Sequence, residues 1–180
     1  MSHPVTTAGP TLDPDALTMA AVRDGVLHGR PVTVLGLARS GIALARFLVD
    51  AGALVTIYDG RPEAELETAI RALEGRPVRL VLGPNADPAT AWAGAALVTT
   101  SPSINPDYPT TEPRLRAALT TLVAARAAGE PGAPALIVGA SHSRRNRSGS
   151  AISAGAPGSP AARAATRVVR AARRRGSVVG

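Results

Sequence analysis

Val32-Thr33-Val34-Leu35-Gly36-Leu37-Ala38-Arg39-Ser40-Gly41 runs from an unbroken apolar stretch into small residues at 36, 38 and 41. The β-rich run reads as a buried strand that breaks at Gly36. Beyond the break, Ile42, Leu44, Ala45, Phe47 and Leu48 recur at helical spacing, and Gly52 suits a C-cap. A small residue at 36 permits the turn, one at 38 lets backbone N–H groups approach a phosphate, and Gly41 allows tight helix packing. The helix N-terminus itself favours an anion. The same residues also suit a tight turn that holds no ligand, so the turn alone leaves both readings open.

Working outward, Leu54 to Tyr58 reads as a second strand ending at Asp59, and Pro62 to Leu73 as a helix with acids in its first turn. That completes a βαβ unit. A third strand follows over Val78 to Leu82, closing at Gly83, then a short helix over Pro88 to Trp92. A fourth strand, Ala96 to Thr99, leads into Ser101-Pro102. Pro113 to Ala128 predicts an amphipathic helix and Pro134 to Ile137 a further strand. Upstream, Met1 to Pro14 reads as a flexible leader, with Asp13-Pro14-Asp15 starting a helix over Ala16 to Leu27. The expected class is therefore α/β: a Rossmann-like parallel sheet with flanking helices over residues 30–137. A leader and short helix (1–29) precede it, and a disordered basic tail (138–180) follows.

The chain has 180 residues, enough for one ordinary domain. Apolar residues make up 45% and aromatics only 2%, so the core must be aliphatic. Without cysteine there are no disulfides, thiolate metal sites or cysteine nucleophiles. No run reaches the ~18 to 20 apolar residues of a membrane span, and no signal peptide is legible. A cytoplasmic protein with no membrane partner is expected.

The net charge of +7 is unevenly placed: residues 1–137 carry 11 Arg against 13 acidic residues, whereas 138–180 carry 9 Arg and no acid. Nucleic acid would therefore be bound only non-specifically, through the tail, which has no aromatic residue for stacking. His3, His28 and His142 are scattered in sequence, so no catalytic residue and no metal ligand is assigned. The absence of lysine excludes the G-x-x-x-x-G-K-[ST] loop of the usual ATP sites.

Asp59 ends the second strand about 20 residues after the glycine turn, where such folds often bind a ribose or a base edge. Arg61 can offer a fork of donors to phosphate or carbonyl oxygens. Alternatively, Asp59 caps the following helix and Arg61 is merely solvated. Gly83 and Ser101 end the third and fourth strands, so every candidate falls on the carboxyl edge of one sheet, where open α/β sheets bind ligands.

Three segments carry a family resemblance: Thr33 to Gly41, Ile57-Tyr58-Asp59-Gly60-Arg61-Pro62, and Leu97-Val98-Thr99-Thr100-Ser101-Pro102-Ser103-Ile104. Over about residues 30–137 the chain resembles the N-terminal domain of the Mur ligases, in particular the D-glutamate-adding enzymes of peptidoglycan synthesis. The resemblance implies a cytoplasmic three-domain enzyme that uses ATP and Mg²⁺ to activate the carboxylate of UDP-N-acetylmuramoyl-L-alanine as an acyl phosphate, which D-glutamate attacks. The first domain would hold the UDP moiety, and neither ATP nor Mg²⁺ would bind in this chain. Gly36, Ala38, Arg39, Ser40 and Gly41 would face the diphosphate, Asp59 and Arg61 the uracil end, and Gly83 and Ser101 the same edge. Ala38 stands where many members have glycine, and Ser103 where a Ser-Pro-Gly-Ile turn has its glycine.

After Ile137 such a ligase would continue with an acidic Ser-Glu segment and a lysine-containing ATP loop, and neither follows. A shift of reading frame near Ile137 is one expectation. Read from their third bases, the codons of Gly139 to Ser141 can yield Ser-Glu, and those of Gly158 to Arg163 Ile-Thr-Gly-Ser-Lys-Gly. The chain alone is then expected to be an inactive monomeric binding domain for a UDP-sugar. A stand-alone NAD(P)-binding Rossmann protein is the alternative.

Overall fold

The structure, a computed structural model, describes residues 12–138. Five parallel strands lie in the order β3-β2-β1-β4-β5: β1 (Pro31–Leu35), β2 (Leu54–Asp59), β3 (Val78–Leu82), β4 (Leu97–Thr100) and β5 (Ala135–Ile137). Between them run α2 (Arg39–Asp50), α3 (Glu63–Arg71), α4 (Pro88–Trp92) and α5 (Pro113–Ala127), and α1 (Met19–Arg23) precedes the sheet. The chain winds outward from β1 through β2 to β3, then returns to the other side of β1 for β4 and β5. The order reverses beside β1, between β1 and β4, and the carboxyl ends of strands at such a reversal are where open α/β sheets bind ligands.

Side chains on a strand alternate between the two faces, and the core divides accordingly. Val32, Val34, Val55, Ile57 and Leu97 join Leu44, Phe47 and Leu48 of α2 and Leu66 of α3 on one face. Leu35, Tyr58 and Val98 join Ala91 and Trp92 of α4 and Leu115, Leu119 and Leu122 of α5 on the other. The result is three layers around an almost wholly aliphatic interior, as the composition requires. Thr33, the polar residue among the buried β1 side chains, donates its hydroxyl to the Ala91 carbonyl at 2.7 Å and ties α4 to the sheet.

The short helix expected over 16–27 is shorter still, reduced to α1 flanked by turns. Asp13 instead closes an Asx turn, accepting from the Asp15 N–H at 2.9 Å. The helix starts later, where the Thr18 hydroxyl accepts from the Ala21 N–H, and it stops before Gly25 at φ +86°. Leu12, Leu17, Val22 and Leu27 are nonetheless buried in the α2 and α3 face of the core. The expectations for the first residues of the leader and for the basic tail lie outside the described residues. Among the described residues, no helix is long and apolar enough to cross a membrane.

Candidate functional site

Three backbone hydrogen bonds join the strand ends into one rim. Gly83 N–H donates to the Asp59 carbonyl (3.0 Å), Gly36 N–H to the Tyr58 carbonyl (2.8 Å), and Ser101 N–H to the Leu35 carbonyl (3.0 Å). Gly36, Asp59, Gly83 and Ser101 therefore lie along the carboxyl edge, as their positions in the sequence suggested.

The turn from β1 to α2 needs its glycines for different reasons. Gly36 has φ +94°, and a Cβ there would stand 2.7 Å from the Ile104 Cδ1 and 3.4 Å from the Ser101 Cβ. Gly41 has no unusual backbone, but its Cβ would fall 1.8 Å from the Gly36 carbonyl oxygen. The first glycine allows the bend and the second lets the helix sit on the bend. Ala38 is the exposed N-cap, with a side chain that caps nothing, and exposed Arg39 and half-buried Ser40 open α2.

Helix starts at this edge differ in how they meet the positive end of the dipole. The Glu112 carboxylate accepts from the Arg114 and Leu115 N–H groups of α5 at 2.9 and 2.7 Å. Asp87 caps α4, and Glu63 and Glu65 lie in the first turn of α3. Neither a capping side chain nor a first-turn acid is present at α2, which opens at the glycine turn.

Asp59 is only 8% exposed and is held from two sides. One oxygen accepts from the Leu37 N–H at 2.8 Å and from Arg61 Nη2 at 2.8 Å. The other accepts from the N–H and Nε of Arg61, both at 3.0 Å. Arg61 Nη2 also reaches the Leu37 carbonyl at 3.4 Å, while its side chain stays 48% exposed. Burial pushes the Asp59 carboxyl up. The Arg61 guanidinium, the Leu37 and Arg61 N–H groups and the charge of Arg61 outweigh burial and hold it below its ordinary range. Arg61 is raised in return, chiefly by its bond to Asp59. Tyr58 is pushed up by burial first and by Glu112 second.

Three residues not among the sequence candidates join this edge. Leu37 contributes only backbone atoms, and Ile104 closes the wall against Gly36. Ser103, at the position noted as a departure from glycine, places its hydroxyl 3.0 Å from that of Ser101. No group of His, Asp or Glu able to hold a metal occurs among the described residues. A surface cavity of about 440 Å³ lies along α3, lined by Glu63, Glu67, Ile70 and Glu74, and includes none of the residues of the glycine turn, the Asp59–Arg61 pair or the β4 end.

Strand order, crossovers and the glycine turn at the switch point make this a Rossmann-like α/β domain. The chain is similar to curated UDP-N-acetylmuramoylalanine–D-glutamate ligases. It is 40% identical to that of Trichlorobacter lovleyi over 83 residues, which are 46% of this chain and 18% of the relative. It is 42% identical to that of Anaeromyxobacter dehalogenans over 92 residues, 51% of this chain and 18% of the relative. With the ligase of Thermobifida fusca it shares 41% over 83 residues, 46% of this chain and 17% of that one. The matched segment thus spans less than a fifth of the relatives' length. No protein-family model matches the chain.

Among solved structures, a 3-oxoacyl (acyl-carrier-protein) reductase from Agrobacterium tumefaciens with NADP bound is 20% identical, with a TM-score of 0.41 over 87% of this chain and 65% of that one. An Escherichia coli D-lactate dehydrogenase is 17% identical, with a TM-score of 0.41 over 94% and 65%. Neither likeness adds to the fold reading, which stands on the strand order.

Proposed function

We propose that residues 30–137 are the UDP-binding segment of a UDP-N-acetylmuramoylalanine–D-glutamate ligase, taking UDP-N-acetylmuramoyl-L-alanine or a related UDP-sugar at the carboxyl edge of β1 and β4. One observation carries the reading: α2 opens at a glycine turn with no acid of its own, on the switch point of the sheet. Similarity to the ligases over 83 to 92 residues supports the choice of ligand. Gly36, Ala38, Arg39, Ser40 and Gly41 then frame the diphosphate, Ser101 and Gly83 extend the edge, and the Asp59–Arg61 pair borders the nucleoside end.

ATP, Mg²⁺ and the incoming amino acid belong, on this reading, to the part of the relatives that the match does not cover. The chain alone is then a cytoplasmic, monomeric binding domain without ligase activity. With UDP-N-acetylmuramoyl-L-alanine, D-glutamate, ATP and Mg²⁺, phosphate release should stay at the no-protein background. Binding should be weak, since one domain supplies part of the contacts. Calorimetric titration with UDP-N-acetylmuramoyl-L-alanine and with NADP is the test. Heat from the nucleotide-sugar alone supports the proposal, and heat from NADP alone replaces it with a dinucleotide-binding function.

A further inference from the structure

An ionised carboxylate offers about four acceptor sites, and those of Asp59 are met from inside the fold. The donors are Leu37 N–H and three N–H groups of Arg61. Leu37 immediately precedes the N-cap Ala38, so its peptide sets the direction in which the chain enters α2. A ligand hydroxyl or base N–H could reach Asp59 only by displacing one of these bonds.

We infer that Asp59 is a positioning residue: it fixes the anion-binding turn through the Leu37 N–H and holds Arg61 beside it, without touching the ligand. The inference rests on the diphosphate reading above and assigns the residue a different kind of action. A side chain that reads the nucleoside matters only for ligands that have one. A side chain that shapes the turn matters for any diphosphate, including one with no nucleoside.

The test uses the full 180-residue chain, wild type and Asp59→Asn, labelled with ¹⁵N and titrated with UDP and with inorganic pyrophosphate. Asp59→Asn should weaken both by the same factor, about tenfold, the scale of one lost hydrogen bond to a charged group. Amide shifts caused by the substitution should be confined to residues 36–41 and 59–61, whereas a general loss of structure would spread them.

Weakening of UDP with pyrophosphate unchanged would place Asp59 on the nucleoside and overturn the inference. A wild type that binds UDP and not pyrophosphate overturns it too, while leaving the UDP reading intact. A wild type that binds neither overturns the UDP reading itself.

A second measurement needs no ligand and no variant. The Leu37 amide proton should shift as the wild type is acidified through the titration of Asp59, and a flat profile would refute the contact. Arg61, in direct contact, bears on that titration, Glu65 of α3 acts on Arg61, and the neighbouring Tyr58 feels the Asp59 charge and is itself uncharged in the acid range.

Discussion

Gly41 tolerates no side chain because its obstacle is backbone. A Cβ 1.8 Å from the Gly36 carbonyl oxygen can be relieved only by lifting α2 off the turn. Gly41→Ala should cost about 1 to 3 kcal/mol, the usual range for overpacking, read as a lower urea midpoint; an unchanged midpoint would mean the helix sits further from the turn. Asp59 makes a different prediction. Its folded pKa lies below the ordinary 3.8, so its contribution to stability is complete above about pH 4 and disappears as pH falls through the folded value. The stability gap between wild type and Asp59→Asn should be open at pH 7 and narrow at pH 3, and a gap constant with pH would contradict the bonding seen. Residue types made Gly36, Gly41 and Asp59 legible in the sequence, because a glycine after a strand and an acid at a strand end have few uses. Leu37 was not legible, since its N–H and carbonyl are those every residue has. Ile104 was not legible either, because only the tertiary fold brings it to Gly36.

Elements were more legible than contacts. Glycine and proline punctuate nearly every boundary, and the strands are short apolar runs between them, so all five strands lie within a residue or two of their expected positions. The exception is α1, where local hydrogen bonds of Asp13 and Thr18 and the positive φ of Gly25 override a helical composition. The start of α5 shows a signal of the same kind in Glu112, whose one carboxylate serves two N–H groups. Glu112→Ala should lower stability by about 1 kcal/mol, the typical cost of a lost N-cap. Glu112→Gln, which keeps an acceptor, should lose less. Chemical denaturation of both variants checks this, and equal losses would assign the effect to charge instead of the cap.

At the scale of the whole molecule, the segment before β1 is part of the core despite its irregular backbone. Leu27 is fully buried, and the chain beside it is bonded across to the α2–β2 turn, with Gly29 N–H on the Gly52 carbonyl at 2.8 Å. Leu27→Ala should therefore cost about 2 to 5 kcal/mol, as for other large buried aliphatics. A loss below 1 kcal/mol in the urea midpoint series would show this segment to be dispensable. The strand order also has a consequence for vectorial synthesis. As the polypeptide leaves the ribosome, β1, β2 and β3 can assemble in turn, but β1 then waits with one flank bare until residues 97–100 arrive to form β4. During that interval the central strand of the finished sheet is an open, largely aliphatic edge, the kind of surface on which nascent chains stick to one another. The interval spans α2, β2, α3, β3 and the short helix α4, and a pause in translation within it would lengthen the hazard, whereas a pause after Thr100 would not.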